Sequence, residues 1–161
     1  MSNRDRTSKL ASNSSFAAFL LASSVAATCA WAADPVQIVT LQPSDVAGKA
    51  LTPLGIGGEG RYLNVTAGHG RGFVEVPRYS SADGLLKICV KKFEEMTLAL
   101  KDWPIDELIY LVSGRVEITD TAGQTRAYGP GEAIVIPRGF SGEWKQLSSV
   151  EMYTVEYGKW E

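Results

Sequence analysis

Few side chains in this chain can do chemistry, and their spacing limits what that chemistry is. His69 is the only histidine. It lies among glycines in Gly68-His69-Gly70-Arg71-Gly72, where it reads as a solvated turn residue, and one imidazole cannot build a multi-histidine metal site. Glu107 is the carboxylate with most to offer. Inside a folded domain it would be desolvated and would need a cation beside it, with Lys101, Arg138 or a bound ligand as candidates. Left unpaired, its pKa would rise until it served as a general acid or base. Glu107, Glu143 and Glu151 together offer oxygen ligands for a hard cation. Trp103 and Trp144 suit either stacking on a ligand or packing in a core. Gln146 follows Trp144 at the spacing that shares a strand face. The segment Gly55–Gly60 (GIGGEG) does not lie between a strand and a helix, so it does not read as a phosphate cradle.

The elements that must position these residues are strands. From residue 61 onward the apolar period is two. Leu86, Ile88 and Val90 alternate with Lys87, Cys89 and Lys91, and Met96, Leu98 and Leu100 alternate with Thr97, Ala99 and Lys101. The same pattern runs through 109–112, 115–119, 133–136, 143–147 and 150–157, with Gly, Pro and Asp turns between. In this pattern Cys89 reads as a small buried hydrophobe rather than a reactive thiol, while Lys91-Lys92 and Glu94-Glu95 read as a solvated rim. Pro43-Ser44-Asp45-Val46 can open one short helix, capped by Ser44 or Asp45. No helical period interrupts the strands, so an all-β sandwich or barrel is expected.

The chain has 161 residues, enough for one ordinary domain. Its formal net charge of −2 offers no basic field for nucleic acid. Arg4, Arg6 and Lys9 precede an apolar run from Phe16 to Ala27, and Ala30-Trp31-Ala32 supplies small residues at a cleavage site. That order predicts a secretory signal peptide over 1–32, cut after Ala32, and a periplasmic or secreted product. The run is shorter than the about 20 apolar residues a membrane helix needs, so no membrane partner is expected after cleavage. Cys29 would leave with the signal, and the remaining Cys89 has no partner for an internal disulfide.

Taken in order, Glu107, Gly114, Gly131, Pro137 and Gly139 resemble the cupin superfamily. Its first motif places a glycine seven residues after a glutamate, as in Glu107–Gly114, and its second runs glycine, proline, glycine, histidine. Trp103-Pro104, Asp106-Glu107, Tyr110 and Gly142-Glu143-Trp144 are similar to the small cupins related to the cupin domain of ureidoglycine aminohydrolase. The resemblance covers roughly 84–158. It implies a cupin-type double-stranded β-helix, a jelly-roll barrel, following an N-terminal extension over 33–83 that contributes edge strands or an arm. It also implies inward-facing metal ligands, yet the histidine positions fall on Lys101 and Trp103, or on Leu100 and Asp102, and the last falls on Gly142. Only Glu107 remains of that set.

The resulting expectation is an exported cupin that binds a small molecule in its barrel without a cofactor, with Trp144 filling the space left at Gly142. Trp103, Trp144, Arg138, Lys101 and Gln146 are its ligand-binding candidates. One alternative is an enzyme of the ureidoglycine aminohydrolase type, with Glu107 as acid or base in C–N hydrolysis or in isomerase or lyase chemistry. A divalent manganese, iron or zinc ion on Glu107, Glu143 and Glu151 is a further alternative. A structural, oligomer-forming role is the third, and a homodimer is the expected assembly.

Overall fold

A computed structural model of the chain describes residues 37–53, 60–68 and 72–160. The expected signal peptide, most of the GIGGEG turn and His69 lie outside the described residues. Eleven strands follow one 3-10 turn at Pro43–Asp45: β1 (Thr52–Pro53), β2 (Leu63–Ala67), β3 (Gly72–Ser80), β4 (Leu86–Phe93), β5 (Thr97–Leu100), β6 (Asp106–Ser113), β7 (Val116–Asp120), β8 (Thr125–Tyr128), β9 (Ala133–Ile136), β10 (Gly142–Gln146) and β11 (Val150–Tyr157). The turn is not capped from Ser44 or Asp45. Gln42 is its cap residue, and the Asp45 carboxylate accepts the Gln42 amide proton at 3.0 Å.

The strands form two antiparallel sheets, in the orders β1-β3-β4-β11-β6-β9 and β2-β5-β10-β7-β8. From β4 onward the pairing is nested: β4 with β11, β5 with β10, β6 with β9, β7 with β8. First pairs with last and the middle two pair with each other, which is the connectivity of a jelly-roll barrel. The fold is therefore all-β and of the cupin type. β1, β2 and β3 precede it and extend both sheets. β2 and β1 stand at edges, while β3 lies between β1 and β4.

One apolar cluster joins the sheets. Ile109, Leu111, Ile134, Ile136 and Met152 come from the six-stranded sheet, and Leu63, Leu98, Leu100, Val116 and Trp144 from the other. On the outer face of the larger sheet, Arg78 reaches the Thr40 carbonyl and the Asp45 carboxylate, which ties 37–50 to β3. Val46 in that segment is fully buried. Gly114 makes the β6–β7 reversal at φ +83°, and an added Cβ there would meet the Ser149 carbonyl oxygen at 2.4 Å. A side chain is excluded on both conformation and space.

Candidate functional site

Alternation and register decide which side chains meet inside the barrel. On β4 the inward set is Lys87, Cys89, Lys91 and Phe93. On β11 it is Met152, Thr154 and Glu156. Register places Lys87 across from Glu156 and Cys89 across from Thr154. It places Glu156 across from Glu107 on β6, and Lys91 across from Glu75 on β3. The β4 alternation seen in the sequence is real, but its charged side faces in. Lys91, expected on a solvated rim, is only 8% exposed.

These groups wall one side of a cavity of about 310 Å3, a size that suits a small organic molecule. The Lys91 ammonium holds Glu75 Oε2 at 3.3 Å and Glu107 Oε1 at 3.4 Å, and makes a close ion pair with Glu156 Oε1. An ammonium has three donors, so three carboxylates use all of them. Lys87 donates to the other oxygen of Glu75. Glu156 Oε2 accepts from Trp160 Nε1 at 3.4 Å. Among the described residues no hydrogen bond or ion pair reaches Glu107 Oε2.

The electrostatics follow from that geometry. Burial works against the Lys91 charge, but Glu107, Glu156 and Glu75 outweigh it and hold the ammonium well above the ordinary lysine range. For Glu107 the balance reverses: burial outweighs its share of Lys91, Glu156 and Glu75 repel it, and its carboxyl sits above the usual range. Burial also pushes Glu75 upward, but Lys91 and Lys87 bring it below the ordinary value. Burial, then the Glu75 charge, pushes the Cys89 thiol up to about 12, so it stays protonated and inert at neutral pH.

The opposite wall is aromatic. Trp103 and Trp160 meet edge to face at 5.1 Å between ring centres, and Trp144 is buried beside them in the lining. Trp103 is placed by the chain on both sides of it. Its amide donates to the Phe140 carbonyl and its carbonyl accepts from the Gly139 amide, each at 2.8 Å. Gly139, at φ +84°, turns the β9–β10 loop into that clasp. Trp103 Nε1 is buried, and among the described residues it has no hydrogen-bond partner. With its amide oriented to suit its neighbours, Gln146 accepts from Trp144 Nε1 at 3.2 Å and donates to the Glu94 carbonyl.

The sequence-derived site is thus partly assembled and partly corrected. Glu107, Trp103, Trp144 and Gln146 all line the cavity. Lys101 and Arg138 do not. They are exposed and line a separate cleft that Trp103 also borders, so neither is the partner of Glu107. That partner is Lys91. Glu107, Glu143 and Glu151 do not come together as an oxygen site. Glu143 is exposed on β10, and Glu151, one position out of phase with the inward set of β11, pairs with Lys92 at 3.0 Å. The space at Gly142 is not filled by Trp144. An added Cβ there would lie 2.3 Å from the Thr119 carbonyl oxygen and 2.8 Å from the Phe140 ring.

The metal that the cupin resemblance implies does not fit these residues. Trp103 has a donor but no lone pair to offer, Lys101 faces the outer cleft, Gly142 has no room for a ligand side chain, and the Glu107 carboxylate is held by an ammonium. The carboxylates of Glu75 and Glu156 and the Cys89 sulfur do lie within 4.8 Å of one another. Both carboxylates are already paired with lysine and the thiol is protonated. The Lys91 ammonium supplies the positive charge a metal would bring.

Residues 100–153 match the EutQ-like cupin domain. That span holds Glu107, Trp103, Trp144 and Gln146, while Glu75, Lys87, Lys91, Glu156 and Trp160 lie outside it. No curated protein matches the chain. Solved structures similar to it include the EutQ protein of Clostridium difficile, at 19% identity over 54% of this chain and 68% of that one, with a TM-score of 0.47. A structure from Salmonella typhimurium LT2, named for ethanolamine utilization protein Q, is 17% identical over 67% of this chain and 78% of that one, with a TM-score of 0.49. A cupin superfamily protein of Desulfitobacterium hafniense is 14% identical over 54% of this chain and 78% of that one, with a TM-score of 0.46.

Proposed function

We propose that this protein binds a small molecule inside its barrel and does so without a metal. One observation carries the reading: a cavity of about 310 Å3 lined by Glu107, whose Oε2 has no hydrogen bond among the described residues. Buried polar atoms are normally satisfied, and an occupant would satisfy this one. In this reading the chain is exported, its signal peptide is removed after Ala32, and it works as a homodimer. Exposed Leu108, Tyr110 and Val135 on the outer face of the larger sheet support the last point.

A second reading is supported by Glu107. A carboxyl that lines a cavity and titrates above the usual range can serve as an acid or base. The ureidoglycine aminohydrolase resemblance would direct that chemistry to a C–N bond. The test is a thermal-shift screen of polar metabolite-sized compounds on the purified protein. Stabilisation without conversion supports a binding module. Turnover that E107Q abolishes while leaving the fold intact supports the enzyme. No response to any compound overturns both.

A further inference from the structure

We infer that the occupant is a small organic ammonium compound held by the Glu107 carboxylate. The inference rests on the barrel-binding reading and names its ligand class. Three carboxylates, Glu75, Glu107 and Glu156, face this cavity with two ammoniums, Lys87 and Lys91. The cavity is one positive charge short. Lys91 has spent all three donors and keeps the Oε1 atoms of Glu107 and Glu156. Glu156 Oε2 is met by Trp160. The unmet charge therefore falls on Glu107 Oε2, where an incoming N–H of a ligand ammonium has an acceptor waiting. Tryptophan faces nearby favour a cation further.

The cleft beyond Trp103 carries Lys101, Arg138 and Lys159, which would favour an anion. Those side chains are exposed, and charges in water act far more weakly than charges in a desolvated cavity. An anion inside the cavity would also find Lys91 already saturated.

The probes are three molecules of one shape: 3-amino-1-propanol, 1,3-propanediol and 3-hydroxypropanoate, titrated into the full protein at matched ionic strength, with binding read by tryptophan fluorescence and by melting temperature. The amino alcohol should bind at least about tenfold more tightly than either analogue, about 1.4 kcal/mol. E107Q should erase that preference. If the diol or the hydroxy acid binds as tightly as the amino alcohol, the ammonium inference falls and the cavity reading stands. If none of the three binds, both fall. A preference that survives E107Q also overturns the inference. Should E107Q not fold, the ranking of the three probes on the wild-type protein decides, and a diol or hydroxy acid that binds as tightly as the amino alcohol counts against it.

Discussion

At the residue scale, Lys91 is the centre of the molecule's polar interior. Removing one member of a buried ion cluster leaves the others uncompensated, which costs about 3–5 kcal/mol. Lys91→Met would strand three carboxylates and should lower stability by that order, measured by urea denaturation. Glu107→Gln should act the other way. The folded-state pKa of Glu107 is raised, so the protein binds that proton more tightly folded than unfolded. Its favourable contribution is full below the ordinary glutamate range and is lost as pH rises through the raised value. Glutamine removes the ionising group and balances two carboxylates against two lysines. E107Q should therefore match wild type in acid and exceed it at neutral and higher pH. A neutral-pH loss of stability in E107Q would show that Lys91 needs all three partners.

At the element scale, the informative strands are β4 and β11. Hydrophobic alternation in β4 points to Ile88 and Val90 as the inward face, and the barrel turns Lys87, Cys89 and Lys91 inward instead. Both faces of this sheet are covered in part, one by the opposite sheet and the other by the segment that buries Val46. Periodicity locates such a strand but does not say which side faces the cavity. On β11, Glu156 and Glu151 are indistinguishable as letters, and an odd separation sends one into the cavity and the other to Lys92. The β10 strand carries a sharper constraint. Gly142 faces a backbone oxygen that cannot move aside as a side chain would. Gly142→Ala should cost about 1–3 kcal/mol by overpacking, read as a fall in denaturation midpoint. Gly142→His should fare worse and should not create a metal site. Near-native stability with bound zinc in that variant would show that the β9–β10 loop yields.

At the scale of the whole molecule, the jelly roll closes around an internal ammonium. If Lys91 fills a metal's electrostatic role, chelation should leave the protein unchanged. Protein purified without added metal should carry well under about one equivalent by elemental analysis, and excess EDTA should not lower its melting temperature, since only a ligand bound to the folded state shifts it. A stoichiometric metal whose removal lowers that temperature would overturn the metal-free reading and reopen the cluster of Glu75, Cys89 and Glu156.

The sequence by itself determined the strand-rich fold and the hairpin glycines, because period-two alternation and tight turns are local properties written over a few residues. Alternation also put Trp144 and Gln146 on one face of β10, whereas Glu107 was singled out by its place in the cupin-like motif and Trp103 lies in the β5–β6 connection, outside any strand. Only the tertiary structure decided the partner of Glu107. Lys91 is 16 residues from Glu107 and 65 from Glu156 along the chain, and β4 meets β6 only through β11 between them. Their encounter depends on strand order and register, which are set by which faces of the two sheets close on each other. The same closure turned charged residues inward, so the chemistry of the cavity belongs to the assembled barrel and not to any one segment.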